Sequence, residues 1–187
     1  MDYISYWDNV LTKDQCNDII VRFETHKEQH VDTLLDGHRH FTEINITDHL
    51  DTWGDIQNLL LDKMQAYVAK YKIQFGIDDK VWPDNLGFEH FRMKKYEPND
   101  KDEFAFHVDV GDYASARRFL VFFWYLNDVA EGGETTFQQN RKSRIEMAVK
   151  PVAGRMITFP PLWTHPHTGM KPISGPKYII GGYLHYL

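Results

Sequence analysis

From Gly87 to Tyr186 the chain repeats one pattern: a short apolar run rich in aromatic or β-branched residues, then a turn of Gly, Pro, Asn or Asp. Candidate strands cover residues 87–96, 104–109, 118–126, 134–137, 146–149, 155–159 and 177–186. Short strands at this spacing must satisfy their backbone groups in sheets, and a double-sheet jelly roll or a barrel does so. The segment FLVFFWYL is apolar on both faces. That marks a central strand, covered by helices on one side and facing a core on the other. Aromatic side chains, which pack well on pleated surfaces, concentrate in these same segments.

Ahead of the PDN turn at residues 83–85 the apolar period changes. In NVLTKDQCNDIIVRFETHKEQH the positions Cys16, Ile19, Ile20 and Phe23 recur at intervals of three and four, and Thr12 can cap the helix they predict. DTWGDIQNLLLDKMQAYVAKYK predicts a second helix, with Asp51 or Thr52 as its cap. Its stripe is Ile56, Leu59, Leu60, Met64, Tyr67 and Val68. Amphipathic helices in one domain usually cover a sheet, so both stripes are expected to face the core. Helices first and strands later predict an α+β chain. At 187 residues it is expected to form a single domain, with 1–85 mainly helical support and 86–187 the jelly-roll core.

Composition narrows the function classes. A net charge of −6 argues against a broad nucleic-acid surface, although Arg117, Arg118, Arg141, Lys142 and Arg144 leave a local basic contact open. The lone Cys16 cannot form an intramolecular disulfide, and MDYISYWDN lacks the basic and apolar regions of a secretory signal. A reducing, cytoplasmic location is the expectation. No apolar run approaches the ~20 residues needed to span a bilayer, so no membrane partner is expected.

Chemistry concentrates in FAFHVDVGD, residues 104–112. Strand alternation puts His107 and Asp109 on one face, with Phe106, Val108 and Val110 on the other. By itself H-x-D is also what a hydrogen-bonded pair at a strand end looks like. The tail THPHTGMKPISGPKYIIGGYLHYL adds two further candidates, His165 and His167. Two imidazoles and a carboxylate on one octahedral face, with open positions opposite, form the facial triad of non-haem Fe(II) oxygenases. A structural zinc site would instead close its coordination, usually with cysteines. Lys177 opens the last candidate strand, where an ammonium aimed inward is costly unless it meets an anion. His165 and His167 share strand parity, so spacing alone leaves both open as the third ligand.

HVD, then RRFLVFFWYLNDVAEGGETTF, then the H-x(7)-G-x-K of HTGMKPISGPK resemble the Fe(II)- and 2-oxoglutarate-dependent dioxygenases, in their prolyl 4-hydroxylase-like branch. The resemblance covers roughly residues 86–187, and DNVLTKDQCNDIIVRFE is similar to the helical lead-in of that branch. It implies a double-stranded β-helix (jelly roll) with the N-terminal helices packed on the major sheet. Carried over by position, His107, Asp109 and His167 become the iron ligands and catalytic residues. Lys177 becomes the partner of the distal 2-oxoglutarate carboxylate, where many relatives have Arg. Tyr96 matches a tyrosine that helps bind that carboxylate, after a loop about two residues longer than usual. Thr135 matches a residue lining the cosubstrate pocket, and Tyr183 stands where several relatives have Trp. The implied cofactors are Fe(II), 2-oxoglutarate and O2, together with ascorbate.

The resemblance implies hydroxylation of an unactivated C–H bond, with peptidyl proline as substrate and succinate and CO2 as products. The same chemistry on a free amino acid or other small metabolite, a non-catalytic cupin-like binding module and a metal hydrolase are the alternatives. The loops EPNDKDE and QQNRKSRIE flank the motifs and differ in charge, so either could select a peptide or a small polar metabolite.

Overall fold

The protein is described by a computed structural model covering residues 2–35 and 37–187. Helix α1 spans Lys13–Thr25 and begins with a reciprocal cap. Thr12 Oγ1 accepts from Gln15 N–H at 3.1 Å, and Gln15 Oε1 accepts from Thr12 N–H at 2.9 Å. Helix α2 spans Leu50–Phe75, starting before the predicted cap residues. The capping position falls on His49, which makes no side-chain cap, because the 3-10 turn Ile46–Asp48 runs almost directly into the helix. Asp51 instead places its carboxylate in the first turn, where the helix dipole favours it. The helix stops at Gly76, whose left-handed φ of 61° a glycine adopts without strain. Of the predicted stripe, Ile56, Leu60 and Met64 are buried, while Leu59, Tyr67 and Val68 are partly buried against the same core. Trp53 and Tyr71 extend it.

Among the described residues twelve strands form one antiparallel sheet. Strands β1 (Ser5–Trp7), β2 (Val31–Leu35) and β3 (Arg39–Asn45) come from the first third, so that part supplies sheet as well as helical support. The 87–96 candidate divides into β4 (Leu86–Phe88) and β5 (Arg92–Tyr96). There follow β6 (Glu103–His107), β7 (Arg118–Tyr125), β8 (Thr135–Phe137), β9 (Met147–Val149) and β10 (Met156–Phe159). The short β11 (His167–Gly169) and the long β12 (Lys177–Tyr186) complete the set.

The path runs β1-β10-β7-β12-β5-β3-β6-β11-β8-β9, with β2 on β3 and β4 on β12. It curls back on itself. Phe137 of β8 meets Phe159 of β10 edge-to-face at 4.9 Å, although these strands lie near opposite ends of the path. The result is the jelly-roll core expected from the strand pattern. Strand β7 separates two apolar cores: Leu120, Phe122 and Trp124 pack with α1 and α2, while Val121 and Tyr125 pack inside the curl with Phe137, Ile157 and Phe159. Alternation along one strand therefore decides which side chains support the helices and which border the interior. Gly181 on β12 allows β7 to approach, since a Cβ there would lie 2.3 Å from Phe122 O.

Candidate functional site

His107 closes β6 opposite His167 of β11, so antiparallel pairing sets the two imidazoles side by side. Asp109 lies just beyond β6, where its N–H donates to Pro161 O at 3.2 Å and its carbonyl accepts from Arg118 Nη1 at 3.0 Å. Its carboxylate reaches both rings: Oδ1 is 3.6 Å from His107 Nε2, and Oδ2 is 3.6 Å from His167 Nε2. One donor atom from each of the three residues falls within 4.8 Å of the others. No other such group of three converges among the described residues.

Backbone carbonyls fix the orientation of both rings. His107 Nδ1 donates to Ala105 O at 2.7 Å, and His167 Nδ1 to His165 O at 3.1 Å. The proton thus sits on Nδ1 in each ring and the Nε2 lone pair points into the cluster, as a metal ligand requires. Phe104 stacks on His107 at 3.5 Å between centroids, and Phe159 meets His167 edge-on at 4.8 Å. His107 Nε2 and Asp109 Oδ2 are buried without any hydrogen-bond partner. Two orphaned acceptors aimed at one point fit a bound divalent cation. Burial would raise the Asp109 pKa, but His167, His107 and the Tyr183 hydroxyl outweigh it and hold the carboxyl well below the usual range. Burial pushes His167 down to about 4, against the pull of Asp109. At neutral pH both groups are therefore in their ligating forms.

His165 points elsewhere. Its Nε2 bonds to Asp2 O at 2.7 Å and its Nδ1 to Thr164 Oγ1 at 2.8 Å, which leaves only its carbonyl for His167. Lys177 starts β12 opposite Tyr96 and is buried, with Nζ 4.3 Å from the centre of the Tyr96 ring. Nζ donates to Gly133 O and Met170 O, both at 3.2 Å, and no described carboxylate pairs with it. Burial pushes its pKa down to about 7, with Glu134 opposing at longer range. A pocket of about 70 Å³ lies between this ammonium and the three donors, and Tyr96, Thr135 and Tyr183 also line it. All seven residues singled out in the sequence border this one space.

The hydroxyls within it are engaged differently. Tyr125 OH donates to Thr135 Oγ1 at 2.6 Å, whereas Tyr183 OH donates to Asp109 Oδ1 at 2.7 Å. Tyr183 thereby occupies one carboxylate oxygen and leaves Oδ2 for a metal, a role its position in the sequence does not announce. Lys94 is another residue missed at first reading. It shares strand parity with Tyr96 and lines both this pocket and a larger cavity of about 580 Å³ that opens from the donors. That cavity is walled by segments around 38–39, 88–94, 104–109, 114–123 and 179–185, and the EPNDKDE and QQNRKSRIE loops do not line it. Arg141 of the second loop lies over the Phe106 ring, its Cζ 5.9 Å from the ring centre.

Comparison with known proteins bears on the same residues. The family model described as "2OG-Fe(II) oxygenase superfamily" matches residues 91–185. No curated protein matches the chain in sequence. Among solved structures, a viral collagen prolyl hydroxylase from Paramecium Bursaria Chlorella virus-1, in complex with 2OG, is 19% identical with a TM-score of 0.66, covering 100% of this chain and 97% of that one. A prolyl hydroxylase from Trichoplax adhaerens, in complex with a hypoxia inducible factor peptide fragment, gives a TM-score of 0.78 at 12% identity, covering 100% and 84%. An alpha ketoglutarate dependent epimerase from nogalamycin biosynthesis gives 0.69 at 16% identity, covering 99% and 78%. These likenesses establish a shared fold across two different chemistries. The family match spans just over half of the chain and encloses the three donors together with Lys177, Tyr96, Thr135 and Tyr183; the chain belongs to the 2OG-Fe(II) oxygenase superfamily.

Proposed function

We propose that this protein is an Fe(II)- and 2-oxoglutarate-dependent dioxygenase that hydroxylates peptidyl proline, in the manner of the prolyl 4-hydroxylases. The observation that carries the reading is the pairing of two things across one small pocket. An open three-donor cluster lies at one end and a buried, unpaired ammonium at the other. A dicarboxylate answers both: one end chelates a metal on the donors, and the other neutralises Lys177.

In this reading His107, Asp109 and His167 hold Fe(II) on one face. Tyr183 keeps Asp109 oriented through its hydrogen bond, and the Ala105 and His165 carbonyls keep the rings turned inward. Lys177 binds the distal carboxylate, with Tyr96 and Thr135 bordering the same end. Phe104, Phe123 and Phe159 exclude water from the pocket walls. When bound, Fe(II) supplies the redox centre at which O2 is reduced while 2-oxoglutarate is decarboxylated to succinate and CO2. Ascorbate belongs to the proposal as the reductant that keeps the iron ferrous. The prolyl specificity is supported by the two prolyl hydroxylases above, one of them bound to a peptide. A buried free Cys16 supports the reading of a reducing, cytoplasmic location. No helix among the described residues is long and apolar enough to cross a membrane.

Anaerobic titration with Fe(II) and then 2-oxoglutarate should produce a weak visible charge-transfer band, and admission of O2 should then yield succinate. Proline peptides screened under these conditions should gain the mass of one oxygen atom. Folded protein that binds both ligands yet makes no O2-dependent succinate would be a binding module instead. Hydrolytic turnover without 2-oxoglutarate would make it a metal hydrolase.

A further inference from the structure

The 580 Å³ cavity in front of the donors is basic, although the whole chain carries a net charge of −6. Arg39, Arg92, Lys94, Arg117 and Arg118 all line it, against Glu89 and Asp109. The acids are already engaged. Glu89 takes both forks of Arg118, at 2.9 and 2.8 Å, and Asp109 belongs to the metal cluster. Arg92 has only a long contact to Glu43, at 3.8 Å. Arg39, Lys94 and Arg117 pair with no carboxylate among the described residues.

Two of these unpaired cations converge beside the reacting centre. Arg39 Cζ lies 5.3 Å and Lys94 Nζ 5.2 Å from the centroid of Phe104, the ring that stacks on His107. Lys94 also sits 4.7 Å from the centre of Phe41. Pairing of β3 with β5 and with β6 brings them together from distant parts of the chain: Arg39 opposes Phe104, and Glu43 opposes Lys94. Glu43 and Asp109 attract the Lys94 ammonium, and Arg92 and Arg39 repel it. A cavity wall whose cations outnumber the acids beside them attracts an anion.

We infer that Arg39 and Lys94 form a subsite for a carboxylate of the substrate, placed one aromatic ring away from the iron ligand His107. The inference rests on the oxygenase reading and adds to it a substrate class: the molecule hydroxylated carries a negative group close to the target carbon. Lys177 lines only the small pocket, Arg39 only the larger cavity, and Lys94 stands where the two meet. The carboxylate can be an acidic side chain flanking proline in a peptide or the α-carboxylate of a free amino acid.

The test is equilibrium binding by titration calorimetry to protein loaded with Mn(II) and 2-oxoglutarate. Three probes are compared: Ac-Ala-Glu-Pro-Glu-Ala-NH2, its Gln-for-Glu counterpart, and free L-proline. The acidic peptide or the free amino acid should bind at least about tenfold more tightly than the Gln peptide, the scale of one charge-assisted contact. The advantage should fall to about twofold or less in Lys94→Met and in Arg39→Gln, each judged folded by its circular dichroism and melting temperature. Preference for the Glu peptide assigns the carboxylate to a peptide side chain, and preference for L-proline assigns it to a free acid. Binding that is equal for all three probes, or undetectable for all at millimolar concentration, would overturn the subsite. So would an advantage that survives in both variants, or one lost only because 2-oxoglutarate binding is lost. Succinate release with O2, measured on the same samples, reports the oxygenase reading separately: its absence alongside an intact charge preference would sink that reading and leave the subsite standing.

Discussion

At the scale of single residues, the site works by removing freedom from a few donors. Asp109 offers two oxygens, and Tyr183 claims one of them at 2.7 Å. Tyr183→Phe should leave the fold intact but weaken Fe(II) binding by roughly tenfold or more, the usual effect of losing a group that orients a ligand. Metal titration of the variant, followed through the charge-transfer band, checks this. Lys177 makes a pH-dependent prediction. Its pKa is pushed down to about 7 by burial, while an unfolded lysine titrates far higher. Binding a dianion favours the ammonium, so 2-oxoglutarate affinity should be full below pH 7. It should fall by up to about tenfold per unit as the pH rises above that value, since binding then requires proton uptake. Lys177→Met should bind 2-oxoglutarate roughly ten- to a hundredfold more weakly, as expected for a lost charged hydrogen bond, with a flat pH profile and near-normal Fe(II) affinity.

At the scale of elements, periodicity made most of the architecture legible before any coordinates. Both helices and seven strand segments announce themselves because each buries one face, or two, with the matching repeat. The strands that escaped notice are those with little to bury. Strand β2 is mostly exposed, β1 and β11 are three residues long, and β3 alternates weakly around Phe41 and Ile44. That His107, Asp109, His167 and Lys177 border one space was readable from spacing and resemblance. The Tyr183–Asp109 bond and the Arg39–Lys94 convergence were not, because they depend on which strands pair. Close packing of β12 on β7 yields a sharp prediction. Gly181→Ala places a Cβ 2.3 Å from Phe122 O and 2.4 Å from Phe123 Cβ, so the variant should lose about 1–3 kcal/mol, the range of overpacked cores. Thr12→Ala, which removes only the α1 cap, should cost about 1 kcal/mol, and urea titration of the two variants measures both losses.

At the scale of the whole molecule, the donors and Lys177 lie along one run of neighbouring strands, β12-β5-β3-β6-β11, and line one interior pocket. His107 and His167 sit on β6 and β11, Lys177 and Tyr183 on β12, and Tyr96 on β5. A metal with 2-oxoglutarate would join the β6–β11 end of that run to its β12–β5 end, in the interior where Val121, Phe159 and Ile179 pack. Ligands that bind only the folded state stabilise it by mass action, about 2.7 kcal/mol at a hundredfold excess over Kd. For a chain of this length each kcal/mol shifts the melting temperature by about 2–4 °C. Mn(II) at a hundredfold excess over its Kd should therefore raise the melting temperature by roughly 5–11 °C, and 2-oxoglutarate should add to that shift. Asp109→Ala should abolish most of that shift. If Asp109→Ala melted normally and still showed the full shift, the ligands would be binding somewhere other than the three-donor cluster.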